Sequence, residues 1–63
     1  MKVLVVNKET EQEVEYNNVL NYFANGATWD DESKKPRPVI QFLFPDGTAT
    51  FHTDEWDWFI LKR

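Results

Sequence analysis

The stretch VIQFLFPDGTATFHTDEWDWFIL, from Val39 to Leu61, decides the fold of this chain. Two apolar runs flank a turn in which Pro45 presets the first corner of a type I turn and Asp46 can bond to the backbone ahead of it. We expect Gly47 to take the left-handed conformation that closes a bulged hairpin. The stretch therefore predicts two antiparallel strands joined by a tight turn.

The same turn predicts which side chains share a face of the hairpin. In the register that it implies, one face carries Ile40, Phe42, Phe44, Thr48, Thr50 and His52, and the other carries Val39, Gln41, Leu43, Ala49, Phe51 and Thr53. Both faces then contain apolar groups, so the sheet needs cover on both sides. In a chain with little helix, a small roll or barrel provides that cover and also removes open edges.

The first part of the chain predicts a second hairpin. Residues Lys2 to Val6 are apolar on both faces, which is typical of a central strand. From Glu11 the pattern alternates, so that Glu11, Glu13 and Glu15 point one way while Val14 and Tyr16 point the other. A half-buried strand that pairs with the first through a turn over residues 7–10 is the simplest arrangement.

Two segments allow more than one interpretation. Residues 17–26 have an asparagine cap and a terminal glycine that suit a short helix, but we favour a strand because so short a helix is marginal. Over residues 54–61 we favour one helical turn followed by a strand, since aromatic and branched residues prefer sheets. The predicted fold is all-β and mainly antiparallel, a meander of five to six strands curled into a roll or barrel. The alternative is an α+β fold with one or two short helices, over 18–25 and 54–61, on an antiparallel sheet.

Length and composition predict a single small domain over residues 1–63. There is no cysteine, so neither disulfides nor thiolate metal sites can stabilise the chain, and the ten aromatic residues must supply most of the buried area. The N-terminal apolar run is too short for a signal peptide or a membrane span. We expect a soluble, cytoplasmic protein.

Residues 28–38, with the sequence TWDDESKKPRP, are predicted to form a charged loop. The segment has no apolar periodicity and contains two prolines. Long ordered loops in small domains often carry function, so this loop is a candidate site. Trp29 is the tryptophan most expected to be exposed.

Three features of the sequence define a pattern. They are a short N-terminal hairpin, the segment Asn17-Asn18-Val19-Leu20-Asn21-Tyr22, and Phe44-Pro45-Asp46-Gly47-Thr48 before a closing strand. In this pattern the chain resembles small β-rich proteins of Gram-positive bacteria and their phages that have no known activity. It departs from them in the charged loop and in the Trp56-Asp57-Trp58 cluster. The resemblance implies a small accessory protein, with a phage as one source, and transfers no functional residue.

No group of residues has the pattern of a catalytic or metal site. His52, Asp54, Glu55 and Asp57 are close in sequence but match no specific ligand spacing, and the acids 30–32 lack the spacing of a calcium loop. The only histidine and the only serine give no reason to expect a nucleophilic site. We therefore predict no enzymatic activity, no metal and no cofactor.

Three binding hypotheses remain. The first is a protein-interaction or self-association module that binds a protein partner or a second copy through Trp29, Lys34, Lys35, Arg37, Trp56 and Trp58. The second is a single-stranded nucleic-acid binder, in which aromatic rings stack on bases and the basic residues, including Lys62 and Arg63, follow the backbone. The net charge of −4 disfavours it. The third is an acidic mimic of nucleic acid that presents Glu9, Glu11, Glu13 and Glu15 on one strand face.

Overall fold

The computed structural model describes residues 1–62, so Arg63 lies outside the described residues. Its strands are β1 (Lys2–Asn7), β2 (Glu13–Tyr16), β3 (Asn21–Asp30), β4 (Lys35–Phe44), β5 (Gly47–His52) and β6 (Trp56–Lys62). They form two antiparallel three-stranded sheets, with the orders β2-β1-β6 and β3-β4-β5. The all-β prediction is confirmed. No helix occurs within residues 1–62, so the helical alternative over 18–25 and 54–61 is wrong. Before the last strand, residues 53–55 form a turn in which the N–H of Glu55 donates to the carbonyl of His52 at 3.0 Å.

The two sheets pack against each other and do not close into a barrel. Their shared core contains Val3 and Val5 from β1, Ile40 and Phe42 from β4, and Val19 from the segment between the sheets. Val19 is held at the start of β1, because its N–H donates to the carbonyl of Met1 at 3.2 Å and its carbonyl accepts from the amino group of Met1 at 2.6 Å. The segment that links the sheets is thus part of the core.

Aromatic rings fill the space between the sheets. Tyr16 of β2 lies 4.9 Å from Phe44, centroid to centroid, and Trp58 of β6 lies 5.4 Å from Tyr22. Tilted contacts at these distances contribute beyond the area that the rings bury. These contacts join one sheet to the other in a chain that has no disulfide.

The hairpin of β4 and β5 is confirmed, but its predicted register is wrong. Phe44 pairs with Gly47, so Pro45 and Asp46 alone form the connection, and Ile40 pairs with Phe51. The backbone φ of Gly47 is +157°, close to extended and far from the left-handed value of about +57°. The pairing of β4 with β5 contains no bulge, and its register is shifted by one residue from the predicted register. Because of this slip, Ile40, Phe42 and Phe44 share their face with Ala49 and Phe51.

The N-terminal hairpin is also confirmed, with a shorter second strand. Val5 pairs with Val14 and Val3 with Tyr16, so both partners face the core, while Glu13 and Glu15 are exposed. β1 is the central strand of its sheet, as predicted. The central position follows because β6 pairs along the other edge of β1, from Asn7↔Trp56 to Lys2↔Lys62.

The predicted charged loop over residues 28–38 is wrong. β3 continues to Asp30 and β4 begins at Lys35, so only residues 31–34 form the turn. This turn is held by Asp30, whose carboxylate accepts from the N–H of Glu32 at 3.2 Å and from the hydroxyl of Ser33 at 2.7 Å. Lys34 takes the left-handed conformation, with φ of 58°. The two prolines of the segment therefore lie within a strand.

Within residues 1–62, no helix is long and apolar enough to cross a membrane.

Candidate protein-binding surface

Pro36 and Pro38 determine which backbone groups β3 leaves unpaired. Trp29 lies opposite Pro36 and Ala27 lies opposite Pro38. In an antiparallel ladder, residues directly opposite each other either exchange two hydrogen bonds or exchange none, and proline has no N–H to donate. Both pairs are therefore of the type that exchanges no hydrogen bonds. It follows that Ala27 and Trp29 point their N–H and C=O groups away from β4.

A second contact shows why proline is tolerated in β4, the central strand of its sheet. The N–H of Thr53 donates to the carbonyl of Pro38 at 3.1 Å, on the side of β4 that faces β5. The nitrogen atoms of Pro38 and Pro36 point to the same side, where β5 has already ended at His52. The missing N–H groups therefore remove no bond between β4 and β5.

The outer edge of β3 has no partner strand within residues 1–62. Near its start, the N–H of Tyr22 is bonded to the side-chain oxygen of Asn21 at 2.8 Å, which blocks that donor. In the middle, Ala24 and Asn25 lie at a bulge between the pairs Phe23↔Gln41 and Gly26↔Val39. The regular part of the open edge is therefore residues 26–30, with Ala27 and Trp29 as its outward donors and acceptors.

Two residues of β3 and the two prolines opposite them form an exposed apolar face. We call this face the ribbon patch, and it consists of Ala27, Trp29, Pro36 and Pro38. Directly opposite residues in a sheet share a face, so the two pairs lie side by side. All four residues are exposed, and the side chain of Trp29 is 63% exposed. β5 does not extend along this part of β4, so the patch lies on a two-stranded ribbon that projects from the sheet. The prediction that Trp29 is exposed is confirmed.

β3 differs from the other edge strands in length and charge. It has ten residues, and none from Asn21 to Trp29 is charged. β2 presents Glu13 and Glu15, and β6 contains Asp57 and Lys62, charges that discourage pairing with another chain. β5 is uncharged but has only six residues. β3 is therefore the edge least protected against the addition of another strand.

The first half of β3 borders an open groove. Its volume is about 920 Å³, and its lining includes Met1, Leu20 and residues 21–26. Leu20 is 64% exposed and Phe23 is 53% exposed. Phe23 lies opposite Gln41, whereas the ribbon patch lies opposite Pro36 and Pro38, so the side chain of Phe23 and the ribbon patch are on opposite faces of the sheet.

Arg37 is bound within the molecule. Its guanidinium donates two hydrogen bonds to the carboxylate of Asp54, at 3.1 and 2.9 Å, and one to Glu55 at 2.7 Å. These bonds raise the pKa of Arg37 and lower the pKa of Asp54. The side chain of Arg37 is 21% exposed. The hypothesis of a partner-binding Arg37 is therefore less well supported than a role in fixing the base of the ribbon to the turn between β5 and β6.

Lys34 and Lys35 are exposed at the tip of the ribbon. Lys35 lies opposite Asp30, the carboxylate that holds the turn. The bonds from Ser33 and Glu32 lower the pKa of Asp30. The two lysines thus border the ribbon patch without interrupting it.

Trp56 and Trp58 lie half buried against the core, unlike Trp29. The centroid of the Trp56 ring lies 5.2 Å from that of Phe51. The centroid of the Trp58 ring lies 6.4 Å from that of Phe42, and Trp58 also contacts Tyr22. Both tryptophans are thus partly covered by the aromatic rings of the core. They are weaker candidates for contact with a partner than Trp29.

The remaining predicted groups do not converge on one surface. Lys62 ends β6, in the sheet opposite the one that carries Lys34 and Lys35, and Arg63 lies outside the described residues. Of the four glutamates predicted on one strand face, only Glu13 and Glu15 lie in β2, and Glu15 is paired with Lys2 at 2.8 Å. Within residues 1–62, no three His, Asp or Glu side chains are grouped to hold a metal ion.

The sequence contains a signal for the open edge in its two neighbouring prolines. Prolines two residues apart, Pro36 and Pro38, followed by an apolar strand, indicate a strand that has no partner on one side over those residues. The same prolines also favour a loop, which is the prediction for residues 28–38 that the structure contradicts. In the strand that pairs with them, the residues opposite the two prolines must then point their backbone N–H and C=O groups away from the prolines.

Comparisons with protein families, with curated proteins and with solved structures find no significant match for this chain.

Proposed function

We propose that this protein is a non-enzymatic protein-interaction module that binds an extended segment along the open edge of β3. The observation that carries the proposal is the outward direction of the Ala27 and Trp29 backbone groups on an edge strand that has no charged residue from Asn21 to Trp29. Addition of a strand to such an edge supplies main-chain hydrogen bonds, and neighbouring side chains supply selectivity. The site on the protein would be residues 26–30 together with the ribbon patch.

The exposed Trp29 supports the same interpretation. A tryptophan that is 63% exposed beside two exposed prolines is apolar surface that the chain itself leaves uncovered. Tryptophan is enriched among the residues that contribute most to binding energy at protein interfaces. A strand added to β3 would bring side chains next to this ring and bury it.

Binding of single-stranded nucleic acid has less support. Arg37 is engaged by two carboxylates, Lys62 is on the other sheet, and Trp56 and Trp58 are packed inward. The acidic-mimic hypothesis has less support too, since Glu9 and Glu11 lie before β2 and Glu15 is paired. An accessory role in a cytoplasmic or phage context agrees with the sequence resemblance and remains part of the proposal.

The proposal is tested by site-specific photocrosslinking. Benzoylphenylalanine is placed at position 29 in the full chain, which is expressed in its own host, and the control carries the same group at position 59. Phe59 is also exposed, at 49%, but lies on β6. We expect a defined crosslinked product at position 29, either with another protein or with a second copy, and at least a tenfold loss of that product when Ala27→Pro is added. No product at position 29, or the same products at both positions, would overturn the proposal.

A further inference from the structure

We propose that the extended segment bound by β3 is β3 of a second copy, so that the protein forms a symmetric dimer with its two-fold axis beside Thr28. This inference rests on the proposed function and names the partner of the same site. Symmetric dimers are the commonest oligomers, and their interface uses the same surface on both copies. The question is therefore whether β3 is complementary to itself.

The backbone groups of β3 satisfy this condition. A two-fold axis at Thr28 places Ala27 of one copy opposite Trp29 of the second copy, and Trp29 opposite the second copy's Ala27. Both residues direct their N–H and C=O groups outward, because their partners in β4 are prolines. Each of the two symmetry-related pairs is thus able to exchange two hydrogen bonds in an antiparallel ladder. Thr28 lies on the axis, opposite Thr28 of the second copy. Its backbone groups are directed to β4, so this pair exchanges no hydrogen bonds across the axis.

The side chains are complementary in size. In this register the large ring of Trp29 faces the small methyl group of the second copy's Ala27, on the face that also carries Pro36 and Pro38. Two ribbon patches then become continuous across the axis, and both exposed tryptophans gain cover. On the other face, Thr28 meets the second copy's Thr28, a cross-strand pair that is favourable in sheets.

The charges favour a second copy over a charged peptide. No residue from Asn21 to Trp29 is charged, and in this register Asp30 lies opposite Gly26 of the second copy. No pair of like charges therefore meets along the strand.

The whole chain carries a net charge of −4, so two copies repel each other at long range. Added salt screens this repulsion, and we expect the dimer to become tighter as ionic strength rises.

The test is sedimentation velocity of the full chain from about 1 µM to about 1 mM, at low and moderate salt. We expect a concentration-dependent dimer whose dissociation constant falls as salt is added. Ala27→Pro removes one outward donor in each copy, and we expect it to raise the dissociation constant at least tenfold. The matched control is Thr50→Pro in β5, the edge strand on the other side of the sheet. Thr50 lies opposite Gln41, and its N–H points away from β4, as the N–H of Ala27 does. We expect Thr50→Pro to leave the dissociation constant unchanged.

Two further measurements keep the test decisive. Trp29→Ala is used alongside Ala27→Pro in case the proline variant does not fold, and we expect it to weaken the dimer to a similar extent. In a dimer of labelled and unlabelled copies, an isotope-filtered NOE between the Ala27 methyl group and the Trp29 indole identifies the predicted register.

The outcomes separate this inference from the function on which it rests. A strict monomer that crosslinks to another protein at position 29 would overturn the second copy as occupant and leave the proposed function standing. A monomer without any crosslink at position 29 would overturn both. A dimer that is insensitive to both Ala27→Pro and Trp29→Ala would use another surface and would overturn the inference.

Discussion

At the scale of single residues, Arg37 determines how the ribbon is attached to the rest of the molecule. Its guanidinium binds Asp54 in a bidentate arrangement and reaches Glu55 as well. Planar guanidinium fits a carboxylate in this way and lysine does not. Arg37 thus connects β4, at the base of the ribbon, to the turn that precedes β6.

We expect Arg37→Gln to raise the pKa of Asp54 toward its ordinary value, because the hydrogen bonds from Arg37 are the largest cause of its lowering. The measurement is an NMR titration of the Asp54 side-chain carbon. The pKa of Asp30 should rise less, because the Ser33 hydroxyl is the main cause of its lowering and the charge of Arg37 is a smaller one. An unchanged Asp54 pKa in the variant would contradict the contact.

The same lowering gives a pH dependence of stability. A carboxyl group whose pKa is lower in the folded state stabilises the fold above its unfolded pKa of about 3.9. That stabilisation is lost as the pH falls through the lower, folded value. We expect the unfolding free energy to decrease below about pH 4, and to decrease less in Arg37→Gln, as measured by urea unfolding at a series of pH values. An identical pH dependence in the two proteins would contradict this account.

A buried aliphatic residue gives a second prediction at this scale. Ile40 is fully buried between the two sheets, so Ile40→Val leaves a small cavity. We expect a loss of about 1 kcal/mol in the free energy of unfolding, measured by urea denaturation. The control is Leu20→Ala, which removes more carbon atoms from a side chain that is 64% exposed and should change stability by less than about 0.5 kcal/mol. Equal losses would show that the assigned core is wrong.

At the scale of elements, β3 is both the longest edge strand, without charge from Asn21 to Trp29, and the partner of two prolines. The direction of its backbone groups predicts that neighbouring positions respond oppositely to proline. Thr28 pairs with Arg37, next to the two pairs that contain proline, so its N–H points toward β4. Ala27 points its N–H to the outside.

We expect Thr28→Pro to destabilise the fold by about 1 to 3 kcal/mol, since it removes a ladder hydrogen bond. Ala27→Pro should change the free energy of unfolding by less than about 0.5 kcal/mol, because it removes a donor that faces solvent. Both are measured by urea denaturation of dilute protein, in which dimers do not contribute. If Ala27→Pro were the more destabilising change, the assigned direction of the β3 backbone would be wrong.

The elements also show how far the sequence leads. Both hairpins and the strand character of residues 56–62 are predictable from alternation and turn residues. The register of β4 and β5 is not, because Pro45-Asp46-Gly47 is compatible with more than one hairpin connection. The observed connection leaves Gly47 paired with Phe44. Local turn chemistry alone does not select between these registers.

At the scale of the whole molecule, that slip of one residue explains why no barrel forms. The predicted register gave apolar groups to both faces of the sheet, whereas the observed one moves Ala49 and Phe51 to the face of Ile40, Phe42 and Phe44. The other face keeps Val39 and Leu43 as its apolar residues, among Gln41, Thr48, Thr50 and His52. One covered face is sufficient, and the sheet of β1, β2 and β6 supplies that cover. The sheets then remain separate and keep their edges, including that of β3.

The projecting ribbon also affects the overall shape. The radius of gyration is 12.1 Å, against about 10.6 Å for a compact chain of this length, and the longest dimension is 35 Å. A two-stranded ribbon is marginally stable without further cover. The sequence identified residues 28–38 as the candidate site and Trp29 as exposed, but the open edge depends on where β5 ends, which no local pattern specifies.

Amide hydrogen exchange at Ala27, Thr28 and Trp29, compared between dilute and concentrated protein, shows whether the outer edge of β3 binds a second copy. In dilute protein we expect Ala27 and Trp29 to exchange rapidly and Thr28 slowly, because only Thr28 donates to β4. In concentrated protein Ala27 and Trp29 should slow at least tenfold as the second copy's β3 accepts their bonds. Exchange at Ala27 and Trp29 that is already slow in dilute protein, or that does not change with concentration, would contradict the account.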